Sequence, residues 1–254
     1  MSQYVSLPDD EWKHLFDLSG KPVTYEAHQD IIRAGENAET VFYLQSGWAL
    51  RYRMLDDGRR QIINFMLPGD VFDLQSLGNL AADHSVTTVV KTEVVQVPSR
   101  SFLRMLRRSA DLAAAFWWAS VQEESILREQ IVRIGRRSAR ERIGHLLLEL
   151  QRRLNGANGE EMDDVELPIT RVDLADALGL TPVHVSRTLS AMRRAGLIDI
   201  VRSRIAITDG DRLARLAHFD TDYLHLRSLD LSQKMLNGSS PNGNGVDDAR
   251  SSAS

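Results

Sequence analysis

Two helix-start signals around a glycine constrain this chain more than any other feature of its sequence. Thr170 and Thr181 can each cap a helix, and Gly179 between them allows the chain to turn sharply. Asp173 stands three residues after Thr170, at the spacing of a capping box. Pro182 follows Thr181 at the first helical position, where its missing N–H costs nothing. The stretch therefore predicts two short helices joined by a glycine turn.

The second of these helices has an apolar side and a polar side. Val185, Leu189 and Met192 recur at helical spacing and predict the buried side. The polar residues on or near the outward side are Thr181, His184, Ser186, Arg187 and Ser190. Such a pair of helices is typical of a helix-turn-helix, whose second helix enters the major groove of double-stranded DNA.

The outward residue types suit contacts with DNA. Arg187 can make two hydrogen bonds to the N7 and O6 atoms of guanine, or a charge-assisted bond to phosphate. Ser186 and Thr181 can hydrogen-bond phosphates beside the free N–H groups at the helix start, and His184 can reach a base edge or a phosphate. The predicted set of DNA-contacting residues is completed by Thr170, Pro182, Ser190 and Arg202.

Two short β-rich runs follow, in "DIVRSRIAIT", and predict the wing of a winged helix with Arg202 placed to grip backbone phosphates. Between residues 181 and 204 there are five arginines and one aspartate, although the whole chain has a net charge of −4. A local basic patch is what phosphate binding needs. On charge alone, a solvated helix face with surplus arginine explains this composition equally well. A helical hairpin that forms a protein interface is the alternative to the DNA-binding motif.

The first hundred residues have a different pattern. Glycine-containing turns recur every 11 to 12 residues, at Gly35, Gly47, Gly58 and Gly69, with β-rich runs between them. Asp57-Gly58 is a strong hairpin signal. Short strands at even spacing predict a small antiparallel barrel or sandwich over residues 1–110.

A helical pattern replaces the strand pattern near Ser99. We predict one long helix with its linker over residues 111–155, with Ile131 and Ile134 among its apolar positions. Such a helix can lie across its own domain, or it can pair with a second copy, and we favour the pairing. The winged helix-turn-helix is predicted over 156–230. The Gly-, Ser- and Asn-rich tail 231–254 is predicted to be disordered.

Composition excludes several classes of protein. The chain has no cysteine, which excludes disulfides, thiolate zinc sites and cysteine-held iron–sulfur clusters. No run of 18 apolar residues and no signal peptide is present, so we expect a cytoplasmic protein without a membrane span. An enzyme with a metal in its barrel would need clustered histidines, and between residues 20 and 110 the chain offers only His28 and His84. We therefore expect neither an enzyme nor a metal site.

The order of barrel, long helix and winged helix resembles the Crp/Fnr superfamily of bacterial transcription regulators. The motifs that carry the resemblance are "VFYLQSGWALRYRMLDDGRRQIINFMLPGDVF" and "TRVDLADALGLTPVHVSRTLSAMRRAGLI". It implies an α+β fold with an N-terminal cyclic-nucleotide-binding β-roll (a jelly-roll barrel), a long dimerisation helix and a C-terminal winged helix-turn-helix. It also implies a homodimer on a near-palindromic DNA site, a signal sensed in the barrel, and contact with RNA polymerase.

The barrel departs from the cyclic-AMP-binding members of that family. Leu74 stands where they have a glutamate for the ribose hydroxyl, and His84 where they have an arginine for the phosphate. Ser85 matches their small hydroxyl residue, and Asp73 adds a negative charge close to the phosphate position. We expect these four residues to line an effector pocket whose ligand is not cyclic AMP. Whether an effector exists stays open at this point, as does the alternative of a ligand-binding module that regulates another protein rather than DNA.

The recognition helix also departs from the family. Its two main branches place a glutamate three to four residues before the arginine, whereas this chain has Val183 and His184 there. The family's DNA consensus therefore does not transfer to this chain.

Overall fold

Eight short strands in the first hundred residues form two antiparallel sheets in the computed structural model, which describes residues 21–37, 39–158, 166–201 and 204–225. The strands are β1 Val23–Tyr25, β2 Asp30–Ile32, β3 Thr40–Ser46, β4 Ala49–Met54, β5 Arg60–Met66, β6 Val71–Phe72, β7 Ser85–Thr88 and β8 Thr92–Pro98. One sheet has the order β1-β8-β3-β6 and the other β2-β7-β4-β5. The predicted antiparallel β domain is confirmed.

The predicted turns fall between these strands. Asp57 and Gly58 connect β4 to β5, whose register pairs Met54 with Arg60. Gly47 has a φ of +86°, and a Cβ at this position would lie 2.5 Å from the Lys91 carbonyl oxygen. Only glycine meets both conditions, because it tolerates positive φ and has no side chain to clash.

The helices follow the β domain. They are α1 Ser99–Arg108, α2 Ala110–Arg136, α3 Ala139–Asn158, α4 Arg171–Leu178, α5 Pro182–Arg194 and α6 Gly210–Ala217. Short 3-10 turns occur at Leu74–Gly78 and Asp222–Leu224. No helix among the residues described here combines the length and the apolar character that crossing a membrane requires.

The predicted long helix is present as α2, but it does not extend through 111–155 as predicted, because the chain breaks after Arg136. Arg137 has extended backbone angles, and α3 begins at Ala139, directly after Ser138. The Ser138 N–H donates to the Glu141 carboxylate at 2.7 Å, while the Glu141 N–H approaches the Ser138 hydroxyl at 3.5 Å. This is the Ser-x-x-Glu spacing of a capping box, and it gives the second helix its own start. Residues 156–158, which were predicted to begin the winged helix-turn-helix domain, belong to the last turn of α3.

The C-terminal unit forms around α3. This helix packs against α6 so closely that a Cβ on Gly144 would lie 2.9 Å from the Leu213 side chain. Helices α4 and α5 follow, and β9 Ile198–Val201 pairs with β10 Arg204–Ile207 as the wing hairpin. The predicted α+β order of β domain, helix and winged helix-turn-helix is confirmed. Two helices, α2 and α3, occupy the place of the one helix that was predicted between the two domains. The predicted tail 231–254 and Arg202 lie outside the described residues.

The two units share a buried core. Leu50 and Phe65 of the β domain belong to the same apolar cluster as Leu147 of α3 and Leu178 of α4. The helix-turn-helix therefore rests on the β4–β5 hairpin rather than standing apart from it.

Candidate nucleic-acid interface

The first helix of the motif begins as its sequence predicts. The Thr170 hydroxyl accepts a hydrogen bond from the Asp173 N–H at 3.1 Å, and the Asp173 carboxylate accepts one from the Thr170 N–H at 3.1 Å. This reciprocal pair is a capping box. Gly179 ends the helix with a φ of +63°, so the next helix can leave in a new direction.

The second helix begins three residues later. The Thr181 hydroxyl accepts a hydrogen bond from the His184 N–H at 3.2 Å, and Pro182 occupies the first turn. Both residues are exposed, so the start of α5 faces solvent. Helix N-termini present N–H groups and a partial positive charge, which favour phosphate oxygens.

The exposed side of α5 is the surface that the sequence predicts. Val185, Leu189 and Met192 are buried beneath it. His184, Arg187 and Ser190 are exposed, whereas Ser186 is half-buried and its carbonyl oxygen accepts a 2.8 Å hydrogen bond from the Ser190 hydroxyl. The hydroxyl of Ser190 thus already has one partner, but its oxygen can still accept.

Val183 was not predicted to face outward, yet its side chain is 69% exposed in the first turn of α5. Helical spacing alone could have identified it. Val183 stands four residues before Arg187 and nine before the buried Met192, which places it on the polar side of the helix.

The basic residues near α5 differ in their availability. Arg193 pairs with Asp199 at 2.8 Å, and Arg204 lies 3.9 Å from Glu166. Arg187 is exposed and has no ion-pair partner among the described residues. Unlike Arg193 and Arg204, Arg187 therefore has a guanidinium that is free to bind an external acceptor.

A contact from the β domain holds the helix-turn-helix in place, and no local sequence pattern predicts it. The guanidinium of Arg60 on β5 donates to Asp173 and to Asp176 on α4, each at 2.8 Å. The Gln61 side chain adds a 3.3 Å bond to the Ala177 carbonyl oxygen. Asp173 thus serves both the local capping box and the joint between the two units.

The four residues predicted to form an effector pocket do not all come together. A cavity of about 360 Å³ opens between the β domain and α2. It is lined by Arg51, Arg53, Ile63, Phe72, Asp73, Leu74, Gln75, Asp83, His84, Ser120 and Glu123. Ser85 is not part of this lining, because its hydroxyl turns away and accepts a 3.0 Å bond from the Ala34 N–H.

Several polar atoms of this cavity are buried without a hydrogen-bond partner in the described part of the chain. They are the carboxylate oxygens of Asp73, Nε2 of His84, Nε of Arg51 and Nε2 of Gln75. Burial raises the pKa of Asp73, while the charges of His84 and Arg51 and the nearby Gln75 side chain oppose that rise. Nδ1 of His84 donates to Asp83 at 2.7 Å, and this bond is the main reason that the pKa of Asp83 lies below its usual value.

Arg51 and Arg53 were missed as pocket residues. Their alternation along β4 points both toward one face, and this signal is present in the sequence. The Arg51 guanidinium is ion-paired with Glu123 of α2. The cavity therefore carries two guanidinium groups and three carboxyl groups, a balance that does not favour an anionic ligand.

Comparison with known proteins gives matches over both units. The family model of a cyclic nucleotide-binding domain matches residues 22–109, and that of a Crp-like helix-turn-helix domain matches residues 141–216. A nitrogen fixation regulation protein FixK from Bradyrhizobium diazoefficiens is 35% identical, over 82% of this chain and 84% of its own length. FixK from Azorhizobium caulinodans is 33% identical, over 78% of this chain and 79% of its own length. The solved structure of FixK2 from Bradyrhizobium japonicum aligns with a TM-score of 0.68 at 30% identity, and covers 78% of this chain and 96% of that one.

Proposed function

This chain belongs to the Crp/Fnr family of DNA-binding transcription regulators, and we propose that it binds a near-palindromic DNA site as a homodimer. The observation that carries the proposal is the exposed side of α5. It presents Arg187 without an ion-pair partner among the described residues, directly after a capped and solvent-facing helix start. In a helix-turn-helix this end of the helix meets the bases.

The proposed contacts divide into base reading and phosphate binding. Arg187 reads guanine, and His184 reaches a base edge or a phosphate beside it. Thr181 and Ser190 bind phosphates through their hydroxyl groups, since both are exposed. Thr170, Pro182 and Ser186 complete the proposed surface, and the predicted phosphate contact of Arg202 remains part of the proposal.

Apolar side chains on α2 support the homodimer. Trp117 is 56% exposed and Ile131 is 67% exposed, and the interval of fourteen positions from one to the other corresponds to about four helical turns. Both side chains therefore lie on the same side of α2. Two copies that packed these sides together would remove the apolar surface from water.

We assign any effector to the cavity beside Asp73 and His84, and we propose that it is not cyclic AMP. Leu74 cannot accept a hydrogen bond from a ribose hydroxyl, and the surplus of carboxyl groups repels a phosphate. The absence of cysteine excludes the cysteine-held iron–sulfur cluster as the signal.

The names of similar proteins indicate the direction of control. A relative from Rhodopseudomonas palustris is called a transcriptional activatory protein, and one from Cereibacter sphaeroides a transcriptional activator protein. We propose that this chain likewise activates transcription in the cytoplasm, through contact with RNA polymerase.

Selection from random-sequence duplexes tests the DNA-binding part of the proposal. The full-length protein should enrich two inverted half-sites with centres about 10 base pairs apart, or a multiple of that spacing. Recovery of no shared sequence would contradict it.

Sedimentation tests the homodimer. The wild-type protein should have twice the mass of the 28.6 kDa chain at micromolar concentration. Ile131→Glu should sediment as a monomer and lose the selected site, whereas Arg107→Glu, an exposed change on α1, should do neither. A wild-type monomer that still binds the palindromic site would contradict the dimer.

A further inference from the structure

Val183 is more exposed than any other large apolar side chain in the described residues. Its exposed fraction is 69%, against 67% for Ile131 and 62% for Leu80. Single exposed apolar side chains are common on protein surfaces and need no explanation by themselves. The position of Val183 within the DNA-binding motif is what gives its exposure a meaning.

Val183 begins a row of four exposed side chains along the outward side of α5. Arg187, Ser190 and Arg194 follow it by 4, 7 and 11 residues, and all three are exposed. These intervals place four side chains on one side of a helix. The opposite side carries Met192, which is fully buried. Val183 is thus the member of this row nearest the N-terminal end of the helix, where recognition helices contact bases.

The Val183 side chain ends in an isopropyl group, and the chemistry of this group determines which base edge it can contact in the major groove. It can neither donate nor accept a hydrogen bond, so a polar base edge pressed against it would lose its bonds to water. Among the four base pairs, thymine alone presents an apolar group in the major groove, the methyl on C5. A carboxylate at this position would instead accept a hydrogen bond from the N4 amino group of cytosine.

We infer that Val183 is a specificity-determining residue that contacts the 5-methyl group of a thymine. The four-residue interval to Arg187 corresponds to a rise of about 6 Å, or about two base pairs of DNA. The thymine therefore lies about two base pairs from the guanine that Arg187 reads. This inference rests on the proposed DNA-binding function.

Deoxyuridine provides the direct test, because it pairs like thymine and lacks only the methyl group. The duplex selected from the random library is remade with each thymine of the half-site, and its symmetry mate, replaced in turn by deoxyuridine. Affinity should fall at one position by about fourfold per half-site, or about 15-fold for the pair, the value of one buried methyl group.

The variant Val183→Ala tests whether the loss of affinity on replacing thymine by deoxyuridine depends on the Val183 side chain. It should bind thymine and deoxyuridine duplexes equally at the sensitive position, with the melting temperature of the wild type, because the side chain is exposed. Val23→Ala, the same change at an exposed valine of β1, should keep the full sensitivity to deoxyuridine.

The outcomes separate this inference from the proposed function. If the wild type binds its selected site but tolerates deoxyuridine everywhere, or if Val183→Ala keeps the sensitivity, the inference is wrong while the DNA-binding function stands. If the wild type selects no sequence at all, the proposed function fails and the inference fails with it.

Discussion

The outward side of α5 and the cavity of the β domain are both polar, but they are constructed in opposite ways. The α5 surface comes from thirteen consecutive residues, and its polar groups face water. The cavity collects residues from β4, β5, β6, the turn after β6, the loop before β7 and α2, and several of its polar atoms are buried. A surface of the first kind follows from helical periodicity alone. A site of the second kind depends on how distant segments pack, and it keeps polar groups at a cost to stability.

The largest expected effect concerns the affinity of the cavity for cyclic AMP, compared with that of a pocket that has the glutamate and arginine contacts. Loss of the two charge-assisted contacts at Leu74 and His84 should weaken binding by about two to four orders of magnitude, or about 3–6 kcal/mol. Calorimetry should therefore detect no saturation at micromolar concentrations of cyclic AMP. A micromolar dissociation constant, with a matching rise in affinity for the selected DNA, would show that Arg51 and Arg53 bind the phosphate after all.

Arg187→Ala should have the next largest effect. Loss of one bidentate base contact costs about 1–3 kcal/mol per half-site, so a site with two half-sites loses roughly 2–6 kcal/mol of binding free energy. A mobility-shift titration measures this loss. The matched control is Arg215→Ala on α6, an exposed arginine outside the recognition helix. Unchanged affinity of Arg187→Ala for the selected site would show that α5 is not the reading helix.

Arg60→Ala tests the joint between the two regions. Its removal leaves the carboxylates of Asp173 and Asp176 close together and largely buried, and should lower the free energy of unfolding by about 2 kcal/mol. Urea denaturation measures this change.

The neighbouring residue is a close control for that change. Arg59 is exposed and pairs with the exposed Asp57, so Arg59→Ala should leave the denaturation midpoint unchanged. Equal midpoints for the two variants would mean that the joint contributes nothing to stability.

Asp73→Asn should have the smallest effect, and it should be stabilising. The carboxyl group of Asp73 is buried without a hydrogen-bond partner among the described residues, and its pKa is raised by burial. The folded state therefore holds the proton of Asp73 more tightly than the unfolded state does. As the pH rises through the folded pKa, Asp73 loses this proton and the free energy of unfolding of the protein falls. Asparagine removes that penalty and tolerates the backbone φ of +64° at this position. We expect about 1 kcal/mol of added stability at pH 7, and a smaller gain as the pH falls toward 4.

Asp83→Asn should show the opposite sign of pH dependence. The hydrogen bond from His84 lowers the pKa of Asp83, so its carboxylate stabilises the folded state above the unfolded pKa and loses that contribution as the pH falls. Asparagine should therefore destabilise at pH 7. Thermal melts of both variants between pH 4 and 7 separate the two signs, and parallel curves would contradict the assignment of Asp73 as an unpaired buried acid.

The features that the sequence could predict are local ones, like the outward side of α5, and the features that it could not predict depend on long-range packing, like the cavity of the β domain. The caps at Thr170 and Thr181, the hairpin at Asp57-Gly58 and the buried side of α5 depend on residues a few positions apart, and all were predictable. The break at Ser138 was equally local, because the Ser-x-x-Glu spacing stands in the sequence, but the continuous apolar period on both sides concealed it.

Long-range contacts set the limit of sequence reasoning. The ion pairs of Arg60 with α4 join residues more than a hundred positions apart, and no local sequence pattern predicts them. Ser85 matched a family position by spacing alone, yet its hydroxyl turns toward Ala34. The pairing of Arg51 with Glu123 likewise needs the packing of α2 on the β domain.

The double use of Asp173 affects how this regulator can be re-engineered. A hybrid regulator would join the β domain of one protein to the helix-turn-helix domain of another. Here a transplanted α4 would carry its own capping residue, but its carboxylate would still need a cation from the new sensor at the position of Arg60. Hybrids that keep both Arg60 and Asp173 should stay folded. Hybrids that keep only one of the two residues would leave an unpaired charge at the contact between the β domain and α4.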